Sequence, residues 1–365
     1  MQKIDHEEMV KHVMKAYETQ TSLFVMGGTG IGKSDMVLES GARLAKRWKM
    51  NPTTDLDAKD EFRIIDFRVA DKRPADLRGL PDLSGDKTVW QEPEFLPDEG
   101  RGLIVLEEFN LADKSLQAPA YQLVLDRKMD SYKVPDGFGI IALGNRRKDR
   151  ANVHELSDPL KNRFDWAELT PPNPKDWVDW AMDEDIDARV IAFIKNNPNF
   201  LYKPPCEDNS LDAQRKAFPT PRGWERVSTK ITGEPDGDIQ FYSSSTVGKD
   251  IASQFENFVK LAEGYDIEQI LEEPETAELP SKPSAQYALS SSVAQYYDKG
   301  GTKTEKQNFL QKVCKIVDRF KPSFGALLLR LTIKQDKKFA SREIARLPEF
   351  KSLSKEYRNH LTARK

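Results

Sequence analysis

The sequence predicts an α/β domain built on a central parallel sheet and followed by an all-helical region. Three observations carry that prediction. Apolar, strand-like runs recur at 23–26, 62–69, 103–106 and 138–143, separated by helix-period or loop segments. A glycine-rich run, Gly27-Gly28-Thr29-Gly30-Ile31-Gly32-Lys33-Ser34, lies between the first of these and an amphipathic stretch. After Pro171, Pro172 and Pro174 the strand patterns stop and the rest reads as helices. The expected boundaries are 1–171 for the α/β domain, 172–298 for a helical domain and 299–365 for a helical C-terminal extension.

In chain order, Asp5 to Tyr17 reads as a helix. Asp5 and Glu8 have capping-box spacing, and Met9, Val10, Val13, Met14 and Tyr17 form its apolar stripe. The run Ser22-Leu23-Phe24-Val25-Met26 then leads into the glycines, and Val37, Gly41, Leu44, Ala45 and Trp48 share one face of the helix that follows. Strand, glycine loop and helix fit G-x-x-x-x-G-K-[ST] at every fixed position. Gly27, Gly30 and Gly32 let the backbone curl so that successive N–H groups point into one cup, and the helix start adds its positive dipole end. Lys33 is expected to reach the β- and γ-phosphates of ATP, and Ser34 to ligate Mg²⁺.

Phe62 to Val69 alternates and is β-branched, which predicts a strand. A hairpin or loop is expected within 71–97, an insertion of the kind that faces a pore or a partner. Leu103-Ile104-Val105-Leu106 predicts a fully buried strand that ends in Glu107-Glu108. Acids at the carboxyl end of such a strand sit where an open parallel sheet binds ligand. Glu107 is expected to hold Mg²⁺, directly or through water, and Glu108 to act as general base on the attacking water. The competing reading is a pair of surface acids capping the next helix, expected over Asn110 to Asp126. Residues 127–136 suit a hairpin, and Phe138 to Leu143 a buried strand ending in Gly144-Asn145. Asn145 can orient water near the γ-phosphate, or serve only as a turn residue. The basic run at 146–150 suits a solvated charge face. Leu156 to Phe164 reads as a short helix with Arg163 near its end, and a strand is expected at 167–169. Beyond the prolines, Trp177, Trp180, Val190, Ile191, Phe193 and Ile194 form an apolar helical set. Thr220 and Pro221 open another helix as N-cap and first turn. Arg222 sits at that helix start, where the dipole disfavours a cation, so a nearby anion would explain it.

Composition narrows the function classes. Charged residues make up 32% of the 365, against about 25% in typical soluble chains, yet the net charge is only −3. That balance is not a basic nucleic-acid footprint, so nucleic acid is an unlikely partner. The two cysteines, Cys206 and Cys314, make neither a disulfide framework nor a metal spacing. No apolar run approaches about 18 residues, and the N-terminal stretch carries no signal-peptide core. The expected location is cytoplasmic.

The order of motifs resembles that of AAA+ ATPases, and within them the MoxR-type, dynein-related branch. The residues that carry the resemblance are 27–34, 76–81, 90–97, 103–110, Gly144-Asn145-Arg146, 158–164 and Phe218-Pro219-Thr220-Pro221-Arg222-Gly223-Trp224-Glu225-Arg226. The resemblance runs from about residue 4 to about 295. It implies a three-layer sandwich with an all-α lid, and a homohexameric ring that hydrolyses ATP between subunits. By position, Asn145 matches sensor 1, Arg163 the arginine finger acting on a neighbouring subunit, and Arg222 sensor 2 on the lid. Arg146 and Arg147 are alternatives for the contact in trans. Glu107 departs from the aspartate common at that position. Such proteins remodel or activate partners, often ones with a von Willebrand A domain. The alternative is a nucleic-acid-acting P-loop motor or a restriction-type translocase subunit, with the lysine-rich 303–365 stretch as an arm.

Overall fold

Seven strands assemble into one parallel sheet in the order β1-β11-β2-β10-β7-β4-β3. They belong to the first of two units, Met1–Pro172; the second is Asn173–Lys365. The structure, a computed structural model, describes residues 1–86, 89–129, 132–146, 153–154, 156–205, 216–234, 238–348 and 350. Elements of the first unit are β1 (Gln2–Ile4), α1 (His6–Thr19), β2 (Leu23–Gly27), α2 (Lys33–Trp48), β3 (Pro52–Thr53) and β4 (Phe62–Arg68). They continue with α3 (Pro74–Arg78), β5 (Leu80–Asp82), β6 (Val89–Gln91), β7 (Arg101–Glu107) and α4 (Gln117–Asp126). The last are β8 (Lys128–Met129), β9 (Tyr132–Lys133), β10 (Phe138–Asn145), α5 (Asp158–Lys161) and β11 (Asp165–Leu169).

The pleat sends alternate side chains of the central strands to opposite faces. Phe24, Ile65, Phe67, Ile104, Leu106, Ile140 and Ala142 cluster with Ala120, Leu123 and Val124 of α4. On the other face Gly41 of α2 lies against Ile64, and Tyr17 of α1 meets Phe62 and Gly139. The result is the expected α/β three-layer sandwich. Asp5 and Glu8 form the expected capping box at the start of α1. The insertion at 71–97 contains α3 and the antiparallel pair β5–β6, and the 127–136 segment contains the pair β8–β9.

Two local expectations need correction. The segment 110–126 is not one helix: 3₁₀ turns at Phe109–Leu111 and Lys114–Leu116 precede α4. Local side-chain bonds compete with the helix there. Asp113 accepts from the Ser115 amide at 2.8 Å, and Asn110 is committed to β10 as described below. Strand β1 was not expected. It has three residues and gains its place from pairing with β11 rather than from a pattern of its own.

The second unit is helical: α6 (Pro174–Asp183), α7 (Ala188–Asn196), α8 (Pro221–Ile231), α9 (Ile239–Val247) and α10 (Lys249–Lys260). There follow α11 (Ile267–Glu272), α12 (Pro283–Gln295), α13 (Lys303–Arg319), α14 (Pro322–Gln335) and α15 (Lys337–Ile344). One apolar cluster runs from Trp177 to Ile344, with helices on both sides of residue 298 contributing to it. Among the described residues, no helix is long and apolar enough to cross a membrane.

Candidate functional site

The carboxyl ends of β2, β10 and β7 lie side by side, because β10 pairs with both of the others. Interposing one strand holds the β2 and β7 ends about 10 Å apart. The glycine loop extends β2 and turns into α2. Gly30 and Gly32 take positive φ, +69° and +92°, where a side chain would be strained. Gly27 has a different reason to be glycine: a Cβ there would stand 2.9 Å from Ile31 Cδ1 and 3.2 Å from the Leu169 carbonyl. Gly32 is the N-cap of α2 with no side-chain cap, so no cap satisfies the first-turn amides, the arrangement that suits an anion.

Lys33 Nζ donates to the carbonyls of Gly27 at 3.1 Å and Gly28 at 2.9 Å, and to Asn145 Oδ1 at 3.0 Å. Ser34 Oγ donates to Glu107 Oε1 at 2.6 Å. The structure thus brings together Lys33, Ser34, Glu107 and Asn145. Thr29 and Ile31 lie in the same loop, Thr29 exposed and Ile31 buried. Burial pushes the Glu107 carboxyl above the usual range, opposed by the Ser34 hydroxyl and reinforced by Asp66. Ser34 and Glu107 present oxygen donors in contact, the donor type that Mg²⁺ takes. A half-buried carboxylate whose charge is disfavoured is a fitting ligand, since a divalent cation would offset that penalty.

Glu108 follows Glu107 with φ +54° and ψ +32°. Among the described residues, the other non-glycine positions with positive φ, Gln20, Lys49 and Arg127, are helix C-caps, where that conformation is common. Glu108 instead follows a strand, in a conformation that costs about 1 kcal/mol for an L-residue. Glycine would avoid the strain.

Asn110 was missed by sequence reasoning. It is 4% exposed, donates through Nδ2 to the Asn145 carbonyl at 2.7 Å and accepts from the Asn145 amide at 3.0 Å. This two-bond clamp fixes the end of β10. Gly144 permits it: a Cβ there would lie 2.7 Å from Asn110 Oδ1 and 2.6 Å from the Phe24 ring. A buried asparagine opening a segment that reads as helix was the available signal.

The arginines differ. Arg146 Nη1 pairs with Glu168 Oε1 at 3.2 Å, both side chains about one-tenth exposed, so this candidate is engaged within its own chain. Arg147 lies outside the described residues. Arg163 is exposed just after α5. Its neighbour Phe164 is buried in an aromatic cluster, edge-on to Phe24 at 5.2 Å and Phe109 at 5.7 Å. Trp166 stacks on Phe24 at 4.5 Å. Arg222 belongs to the second unit, exposed at the second position of α8. Thr220 caps that helix, accepting from the Gly223 amide at 2.9 Å. Cys314 is buried and in no disulfide, and Cys206 lies outside the described residues.

No protein-family model matches the chain, and no curated protein matches it in sequence. Solved structures similar to it include a mutant of Thermotoga maritima RuvB, with TM-score 0.33 and 14% identity over 73% of this chain and 75% of that one. NtrX from Brucella abortus in complex with ADP gives TM-score 0.33 and 12% identity over 97% of this chain and 68% of that one. The Aeropyrum pernix ORC2 protein, in ADPNP–ADP complexes, gives 0.38 and 11% over 93% and 94%. TM-scores this low carry no argument; the fold class rests on the sheet order, and the site on its own geometry.

Proposed function

We propose that this chain is a Mg-ATP-hydrolysing AAA+ ATPase of MoxR type, working as a homohexameric ring that remodels or activates a partner protein. The observation that carries the ATPase reading is the bonded set Lys33, Ser34, Glu107 and Asn145 at three adjacent strand ends. Phosphoryl transfer asks little covalent chemistry of a protein; it asks for positioned charge at the γ-phosphate. Lys33 supplies the cation, exchanging its loop carbonyls for phosphate oxygens. The uncapped start of α2 supplies amide donors. Ser34 and Glu107 would hold Mg²⁺, which neutralises charge on the phosphates when bound. Glu108 takes the proton of the attacking water, and Asn145, fixed by Asn110, orients that water.

The ring, the trans role of Arg163, the lid role of Arg222 and the von Willebrand A-type client come from the resemblance. The exposure of Arg163 supports its part, because a residue serving a neighbouring subunit must be reachable. An arginine supplied in trans gives about 10³–10⁵ in rate and ties turnover to assembly. The test is ATPase rate per subunit against protein concentration, with light scattering at each point. The expected result is a rate that rises with assembly and is lost in Arg163→Ala while ATP binding remains. A constant rate in a stable monomer overturns the ring.

A further inference from the structure

A second set of cations lies far from the glycine loop in sequence. Within the second unit, the starts of α6 and α14 and the end of α7 enclose a cavity of about 440 Å³. That volume is in the range of small-molecule sites. Its charged lining is Lys175, Lys195, Arg330 and Asp179, three cations to one carboxylate. Arg330 Nη1 bonds Asp179 Oδ1 at 2.6 Å, so that carboxylate is already engaged. Lys195, partly buried in the wall, has no hydrogen bond or ion pair among the described residues. Val178, Ile194 and Ala326 supply an apolar floor. Ser323 brings the first turn of α14 to the cavity, and no side chain caps that helix start.

We propose that this cavity binds a small organic anion, a phosphate or carboxylate head on an apolar stem, with Lys195 as its counter-ion. The surplus of positive charge selects the head, and the floor selects the stem. At the uncapped α14 start Pro322 has no N–H and the Phe324 amide donates to the Lys321 carbonyl, so Ser323 adds one amide donor beside the positive end of the dipole. The Lys195 ammonium agrees: burial, and then the Arg330 charge, pull its pKa down to about 8 against the opposing Asp179 carboxylate. A cation held at that disadvantage gains most from an arriving anion. A lysine kept for packing alone would sit as well in apolar form.

The test uses the full chain carrying Lys33→Ala, which weakens phosphate binding at the glycine loop, and the Lys195→Met comparison separates the cavity from the loop amides that remain. Calorimetric titration compares phenyl phosphate, phenylacetate, inorganic phosphate and neutral benzyl alcohol. The expected result is saturable binding of phenyl phosphate or phenylacetate, tighter than either inorganic phosphate or benzyl alcohol. Adding Lys195→Met is expected to weaken it roughly tenfold or more, the loss of one charge-assisted bond. No saturable binding of either organic anion, or affinity unchanged by Lys195→Met, overturns the proposal. So does neutral or inorganic probe binding as tight as the organic anions. If Lys195→Met does not fold, acetylation of Lys195 mapped by peptide mass decides instead. Protection by the anions supports the site, and its absence refutes it. The ATPase reading stands or falls separately, since Lys33 is already removed here.

Discussion

The strand ends of the first unit and the serines in the helical core of the second satisfy buried polar groups in opposite ways. At the strand ends they converge. Lys33 meets Asn145, Asn145 meets Asn110, and Ser34 meets Glu107, each contact joining different strands or loops. In the helical core the buried serines are answered locally. Ser243 and Ser290 donate to the carbonyl four residues back, Ser291 to the carbonyl three back, and Ser292 again to Ala288. Arg189 is the exception there: it is tied bidentately to Asp187, two residues away, and also donates to the distant carbonyls of Ile231 at 2.6 Å and Glu234 at 3.2 Å. Local satisfaction lets a helix enter a core and does no chemistry. Convergent satisfaction fixes groups from distant parts of the chain against one point in space, which is what a reaction needs. Lys195 follows neither pattern, and that singles out its cavity.

The comparison breaks if a converging residue proves merely structural, or a local one catalytic. Glu108→Gln has the largest expected effect: ATP binding kept, and turnover lower by about 10²–10⁴ in a steady-state assay. Near-normal turnover would remove Glu108 from the chemistry. In the helical core, Arg189→Met strands a buried carboxylate and is expected to cost about 3–5 kcal/mol in denaturant unfolding. Turnover per folded subunit should hold; a fall would blur the contrast. Asn110→Ala unclamps Asn145 and is expected to lower stability by about 1–3 kcal/mol. Here kcat should fall while KM for ATP stays, which separates orientation from binding. The smallest effect is expected of Ser291→Ala, a loss of about 1 kcal/mol or less by thermal melting with turnover unchanged.

Much of the first unit was legible because its signals are local. The run 103–106 has to be a buried strand, and the glycine run has to turn a strand into a helix. Glu107 and Glu108 were placed by the rule that ligands sit at carboxyl ends of parallel strands. Asn110 was not legible, because its meaning is a pair of bonds to a residue 35 positions away. The short strand β1 exists only through β11, 165 positions on at the Gln2–Ala167 pair; the separation follows from the residue numbers. Arg146 read as part of a solvated charge run until Glu168 appeared beside it. The cavity of the second unit escaped for the same reason: Lys195 and Arg330 meet only through the packing of α7 and α14. Sequence periodicity reports which face is buried and is silent on which buried faces touch.

The aromatic cluster around Phe24 has a mechanical consequence. Phe24 lies on the strand that ends in the glycine loop, Phe109 directly follows Glu108, and Phe164 directly follows Arg163. All three rings are in mutual contact, with Trp166 closing the stack. Rings packed at crystal-like density are stiff and shift as a block rather than deform. The phosphate loop, the turn bearing Glu108 and the surface bearing Arg163 are thereby bolted to one strut.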